Sequence, residues 1–559
     1  INQTNRVGVA QTAAYDANGL TTTASYVDSD GANRTTTTVI DLLGRTVRYT
    51  DEQGTLTRST YHQTGRPLET YRTLPGGTET LLATAEVDTA GRPWQTSDHV
   101  SGTARTTTVS YEAATGRPVT TTLPNGVVTT LGYDTNRGWA TTSAWARNSV
   151  PIASTWVQAK NIAGRTTNDS AGGVINRSYA HDNANRLTTV TDGAITRLYA
   201  YDRNTNRCGL AATCDGQWTV DQADRLQASP QASAYTYDWR GNLTASTPRP
   251  GKTSATQILY DGWDHARVLN DGTTTATSTL DPTGRVLRRK VTRISDSVVL
   301  EDTTYGYSGP GDTPAWHRPT TGTTYTSHLG GGATDTNGVP TWQLVNPHGD
   351  IIGATDANGT FTFQPHADEF GNGPVNSDRN GWLGIHERSV DHTGLGWYRM
   401  GVRLYDPTTS RFQTVDPIEG GSCNDYEYVC ADSIGSIDLS GTHAIICKTK
   451  AYPVEIIQFG QAYLYASGSV SCSDRPDILS LSVTIQRREG RGRWVTVTRC
   501  SSEGSGSLGE QDIFLGCSAA PLSGFHEYRT KVTSRKFHGR FSSKNAYQSG
   551  RNPPLRWVG

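Results

Sequence analysis

Apolar and polar residues alternate along most of this chain in runs too short for helices. Arg285-Val286-Leu287-Arg288-Arg289 is one such run, and Ile478-Leu479-Ser480-Leu481-Ser482-Val483-Thr484-Ile485 is another. A period of two predicts half-buried β-strands. Between the runs one turn signal keeps returning: Asp, often preceded by Tyr, with Gly-Arg or Asn-Arg shortly after. It reads Asp41-Leu42-Leu43-Gly44-Arg45, Asp88-Thr89-Ala90-Gly91-Arg92, Tyr133-Asp134-Thr135-Asn136-Arg137, Asp182-Asn183-Ala184-Asn185-Arg186 and Asp281-Pro282-Thr283-Gly284-Arg285. Copies recur about every 22 residues, the mark of a repeat architecture. Each unit reads as a β-hairpin: Asp accepts backbone N–H groups at the turn start, and Gly or Asn tolerates positive φ. One hairpin cannot cover its own apolar face, so the units must stack into a continuous sheet.

The repeat covers roughly residues 1–330. From 331 to 390 the period fades, although turns such as Asn346-Pro347-His348-Gly349-Asp350 persist. The chain opens on Ile1 in mid-pattern and is expected to be a piece of something longer. The next stretch is dense in aromatic and turn residues: Asp391-His392-Thr393-Gly394-Leu395, then Arg403-Leu404-Tyr405-Asp406-Pro407. Arg411-Phe412, Asp416-Pro417, Gly420-Gly421 and Tyr426-Glu427-Tyr428 follow. This ordered set resembles the RHS-associated core that closes RHS/YD-repeat proteins, a family of bacterial polymorphic toxins, insecticidal toxin-complex C components and teneurins.

The resemblance implies an all-β fold: a spiral of YD-repeat hairpins forming a hollow cocoon, closed by the core domain over 331–441. It also implies self-cleavage by an aspartic-protease-like site. Asp391 matches the D-x-T-G-L aspartate and Asp416 the D-P-x-G aspartate that follows Arg411-Phe412. Two carboxylates within hydrogen-bond reach share one proton, so one activates water while the other polarises the scissile carbonyl. Arg403 or Arg411 would orient a carboxylate through a bidentate bond. The cut is expected at Gly441 and Thr442. There the family's terminal D-P-x-G-L reads Asp438-Leu439-Ser440-Gly441-Thr442, without the Pro and the Leu.

Residues 442–559 form a third unit. Its strand pattern and four cysteines predict a small disulfide-bonded β-sandwich. This tail carries 16 basic and 8 acidic side chains, whereas the rest of the chain carries 35 and 44. A basic module on an acidic carrier points either to an anionic partner or to attraction between the two parts. His526 and His538, with Arg529, Lys531, Arg535, Lys536 and Arg540, are the candidates for phosphodiester chemistry or nucleic-acid binding. The alternation of Tyr528-Arg529-Thr530-Lys531-Val532 reads equally as a strand with one solvated basic face.

The eight cysteines fall as neighbours, Cys208 with Cys214 and Cys423 with Cys430, then Cys447, Cys472, Cys500 and Cys517 in the tail. An even count without any CxxC predicts disulfides and a secreted or cell-surface protein, with no metal and no cofactor. No apolar run is long enough to span a membrane. The partners expected are the tail itself as cargo, a target-cell or surface ligand, and a missing N-terminal region or delivery component. Nucleic acid joins them only if the tail is a nuclease. The readings this leaves are an RHS-repeat carrier of a C-terminal effector, an adhesin displaying an uncleaved tail, and a nuclease-type toxin.

Overall fold

The repeated Tyr, Asp, Gly and Arg are one mechanical unit, and its contacts explain why they recur together. In the turn at Asp41, Gly44 takes φ 78° and the Asp41 carboxylate accepts the Arg45 backbone N–H at 3.0 Å and its guanidinium Nε at 2.7 Å. Asp88 with Arg92, Asp182 with Arg186, Asp221 with Arg225 and Asp281 with Arg285 repeat the arrangement. Each arginine then lies over the tyrosine that opens the next turn, as Arg45 does over Tyr61 at 4.8 Å and Arg285 over Tyr307 at 4.0 Å. That tyrosine returns its hydroxyl to the carbonyl one residue past the arginine: Tyr133 to Pro118 at 2.6 Å, Tyr201 to Leu187 at 2.8 Å, Tyr307 to Val286 at 3.0 Å. In these turns one ring locks each turn to its successor.

This computed structural model describes residues 3–4 and 10–442, apart from 29–30, 64, 136–137, 162–164, 173–174, 376–379, 392 and 419–421. Beyond 442 it describes strand backbones between 447 and 557, and side chains at 464–466, 482–488, 495–500 and 529–532. The chain forms two compact units, one within 1–443 and one of 444–559 joined by the short pieces 134–140 and 183–185.

In the first unit, a 19-stranded sheet runs from Gln3–Thr4 to Ile195–Leu198, and a 13-stranded sheet from Tyr235–Tyr237 to Phe361–Phe363. Successive strands pair antiparallel, as hairpins in series require. Bonds between the two strips keep chain order, Arg267 to Tyr26, Arg285 to Tyr49, Arg72 to Tyr325, Arg105 to Asp335 and Asn125 to Thr355, and Arg197 continues it to Glu369 just past the second sheet. The second strip therefore lies alongside the first as the next turn of a spiral. The expected all-β spiral of hairpins is the observed one.

Segment 380–442 packs onto the second strip. Leu395, Trp397 and Leu404 join Leu243, Ile258 and Leu269 in one buried cluster. Trp382, Tyr398, Met400, Tyr405, Phe412 and Tyr428 form another, with Trp382 stacked on Tyr405 at 5.6 Å. Fully burying such aromatics contributes on the order of 2–3 kcal/mol each, which anchors this segment to the strip.

The second unit holds two four-stranded antiparallel sheets. One is built on Gln461–Cys472 and the other on Ile478–Glu489. Leu464, Ala466, Val483, Ile485 and Val532 are fully buried, which is the inward face of a β-sandwich.

Candidate functional site

The site begins with a hairpin, Tyr398–Met400 paired to Arg403–Asp406. Both faces of the second strand are buried, and the Arg403 side chain has no exposed surface, with its guanidinium 3.6 Å from the centre of the Phe412 ring. A buried guanidinium is tolerable only if it is paired. Arg403 meets that need twice through one nitrogen, at 3.0 Å from Asp416 Oδ2 and 3.2 Å from Asp438 Oδ2. Asp416 also accepts the Ser422 hydroxyl at 2.7 Å and the Ile418 N–H at 2.9 Å. Burial pushes the Asp416 carboxyl above its ordinary value; Arg403 opposes that rise and the neighbouring Asp438 adds to it.

The predicted cut lies against the same hairpin. The Val402 N–H donates to the Ser440 carbonyl at 3.2 Å. The Thr442 N–H donates to Asp438 Oδ1 at 3.2 Å, and the Ser440 and Thr442 hydroxyls are 2.7 Å apart. Two glycines permit this approach. A Cβ on Gly401 would stand 2.2 Å from the Ser440 carbonyl oxygen, and one on Gly441 would stand 2.4 Å from that of Met400. Both residues have positive φ, 52° and 66°.

Asp416, Gly441 and Thr442 are therefore brought together, and the aspartate that joins them is Asp438. Asp391 is occupied differently. It is buried, and it accepts the Thr393 N–H at 2.6 Å and the Trp397 N–H at 2.7 Å, which closes its own turn. It borders a cavity of about 20 Å³ with Ser278, Arg289 and Arg399, and burial pushes its carboxyl up. Arg411 also points elsewhere: it donates to Asn206 Oδ1 at 2.7 Å and to the Asp224 carbonyl, and lies over Tyr426. Arg403, its rival in the sequence reading, is the arginine at the carboxylates. Asp438 was read as part of the boundary motif. Its position four residues before Thr442 was the available signal.

Cys208 pairs with Cys214 and Cys423 with Cys430, and Cys500 is also disulfide-bonded. The side chains of Cys447, Cys472 and Cys517 lie outside the described residues. Cys423, Glu427 and Cys430 come within 4.8 Å of one another, but the disulfide uses both sulfurs, so this is not a metal-ligand set. In the tail strand Tyr528–His538, Thr530 and Val532 are buried while Arg529 and Lys531 are half-buried, and Arg529 donates to Gln486 at 2.9 Å. The side chains of His526, Arg535, Lys536, His538 and Arg540 fall outside the described residues. No described helix is long and apolar enough to cross a membrane.

No family model matches the chain. Over 296 residues, 49% of this chain, it is 26% identical to the tRNA3(Ser)-specific nuclease WapA of Bacillus spizizenii. The tRNA nuclease WapA of Bacillus subtilis matches equally, and in both cases the match spans 10% of the relative's length. Among solved structures, the TcdB2-TccC3-TEV crystal structure superposes with TM-score 0.53 at 15% identity, covering 78% of this chain and 23% of that one. The Tc holotoxin pore of Photorhabdus luminescens gives TM-score 0.52 at 14% identity, covering 76% and 23%. These two structures share the fold of this chain.

Proposed function

We propose that this chain, an RHS/YD-repeat protein, is the carrier part of a secreted toxin-type assembly and severs its own C-terminal module at Gly441 and Thr442. The division is 1–330 as repeat shell, 331–441 as core, and 442–559 as the passenger. One observation carries the reading: a single buried arginine, Arg403, holds Asp416 and Asp438 on the hairpin that grips the Ser440–Gly441 backbone. One guanidinium cannot neutralise two buried carboxylates, and burial pushes Asp416 toward its protonated form. The protonated group polarises a carbonyl, and the ionised one removes a proton from the attacking group. Asp391, which binds its own turn, has a supporting role here, and Arg411 ties the segment to the 204–224 loop through Asn206 and Asp224. Disulfides support an oxidising destination outside the cytosol.

A second reading is display of an uncleaved tail as a recognition module. Arg529 and Lys531, which stay partly open to solvent on the strand Tyr528–His538, favour it. Beyond the basic residues of the tail, the nuclease reading has the names of the two relatives behind it, and those matches span a tenth of each relative. The test is a denaturing gel of the full chain with amino-terminal sequencing of any fragment. Two bands meeting at the 441–442 junction are expected, with Asp416→Asn and Asp438→Asn giving one band and Asp391→Asn still giving two. A single wild-type band removes the self-cleaving reading and leaves the display reading.

A further inference from the structure

We infer that Thr442 is itself the nucleophile: its hydroxyl attacks the carbonyl carbon of Gly441, and its proton leaves through Ser440 to Asp438. This deepens the self-cleavage proposed above and rests on it. The sequence supplies the motive, since the position where the family motif carries leucine holds a hydroxyl residue here.

The hydrogen-bond directions fix the relay. Asp438 Oδ2 is engaged by Arg403 at 3.2 Å, and Oδ1 accepts the Ser440 hydroxyl at 3.4 Å and the Thr442 N–H at 3.2 Å. The Ser440 hydroxyl donates to Asp438, which takes up its one proton. At 2.7 Å from Thr442 Oγ1, the Ser440 oxygen must then accept from the Thr442 hydroxyl. The proton path runs one way, from threonine through serine to aspartate. A threonine hydroxyl reaches the carbonyl carbon of the preceding residue through a five-membered ring, so no second segment has to be recruited. The backbone on both sides of this bond is held by the Val402 bond to Ser440, the close approach of Gly401, and the left-handed Gly441.

In the first step a bond forms between Thr442 Oγ1 and the Gly441 carbonyl carbon, while the hydroxyl proton passes through Ser440 to the Asp438 carboxylate. The Gly441–Thr442 C–N bond then breaks, and the proton moves to the Thr442 nitrogen. The product is an ester joining the Gly441 acyl group to Thr442 Oγ1, with a free amine on Thr442. Water hydrolyses the ester, giving hydroxide to the Gly441 acyl carbon and a proton to Thr442 Oγ1. Water is the only co-reactant, and nothing is oxidised or reduced.

The experiment follows the full chain after synthesis, by intact mass and denaturing gel. Wild type is expected to give one piece ending at Gly441 and one beginning at Thr442. Thr442→Val keeps the shape of the side chain and should slow the cut at least about a hundredfold. Thr442→Ser should stay within about tenfold of wild type, because it keeps the hydroxyl. Hydroxylamine added to wild type during cleavage should capture the ester as a hydroxamate on Gly441. An equally fast cut in Thr442→Val, or a wild-type cut at another bond, overturns the inference and leaves self-cleavage standing. An uncut wild-type chain removes both. If Thr442→Val loses the trypsin-resistant core of wild type, the hydroxamate alone decides: its presence supports the ester and its absence overturns it.

Discussion

In the repeat strip, an aspartate meets the arginine four positions on, within one hairpin turn. In segment 398–442, one arginine gathers aspartates 13 and 35 positions away. The chemistry is the same, but the surroundings differ. Side-chain exposure of the repeat pairs runs from 36% and 25% at Arg225 and Asp221, through 26% and 23% at Arg45 and Asp41, down to 6% and 0% at Arg285 and Asp281. At Arg403 the arginine has 0%, with 3% and 1% at its two aspartates. An exposed pair adds little, because water already solvates both charges. A buried pair adds little net energy when intact, yet breaking it leaves a stranded charge. The repeat pairs therefore shape turns, and the Arg403 cluster commits distant segments to one arrangement.

Arg403→Met breaks this comparison most severely. It leaves Asp416 and Asp438 buried without their cation, at a cost of about 3–5 kcal/mol. The expected result is a large fall in the denaturant midpoint of the first unit together with loss of any cut at 441–442. The same change at Arg45 should leave the midpoint within error. Equal effects at the two sites would show that burial does not grade these pairs.

The same contrast explains what was legible in the sequence. A turn at Asp41 or Asp281 is local: carboxylate, glycine and arginine lie within five residues, and each has one conformational reason to be there. The hairpins could therefore be read directly, while the spiral came through family resemblance, because it rests on contacts such as Arg267 with Asp28, 239 positions apart. The carboxylate pair was half legible. Asp416 stood out in its motif. Asp438 did not, because only the fold brings it to the nitrogen that holds Asp416, and nothing in their spacing told which of Arg403 and Arg411, both buried, meets the carboxylates.

The second test stays within the repeats. Asp281→Asn keeps the size of the side chain but strips a buried carboxylate from Arg285, which still donates to the carbonyls of Gly309 and Gly311 at 2.7 Å. A loss of about 2 kcal/mol is expected from urea melts. Asp88→Asn, in a turn of the same design near solvent, should not move the midpoint measurably.

A pH titration comes next. His317 is hydrogen-bonded at 2.9 Å to His328, whose other ring nitrogen is 3.0 Å from Glu387, and Tyr305 lies beside it. Burial, with a smaller contribution from His328, holds His317 down from 6.5 to about 4. The unfolded chain thus binds a proton between those values that the folded chain refuses. Stability is complete above about pH 6.5 and falls as pH drops toward 4. His181 and His366, each also held down to about 4, act in the same direction. Asp51, held up at about 6 by burial, acts in the opposite one. His317→Gln should flatten the decline by on the order of 1–2 kcal/mol between pH 7 and pH 5, read as the difference in urea midpoints. An unchanged slope would mean that His317 is not held neutral.

The smallest expected effect is the most specific to the repeat. If each tyrosine locks its turn to the previous one, removing only its hydroxyl should matter in proportion to how well water can replace the lost bond. The Tyr307 hydroxyl is buried and donates to the Val286 carbonyl at 3.0 Å, so Tyr307→Phe leaves that carbonyl short of a partner with no solvent to supply one. The Tyr133 hydroxyl makes the equivalent bond to Pro118 at 2.6 Å, but at an exposed position. Tyr307→Phe is expected to cost roughly 1 kcal/mol, and Tyr133→Phe a few tenths at most. Because both rings keep their place under Arg285 and Arg117, the stacking is common to the pair and drops out of the difference. A larger loss at Tyr133 would mean that its hydroxyl, despite its exposure, holds the outer turn in register, and the division between turn-shaping and segment-binding contacts would have to be redrawn.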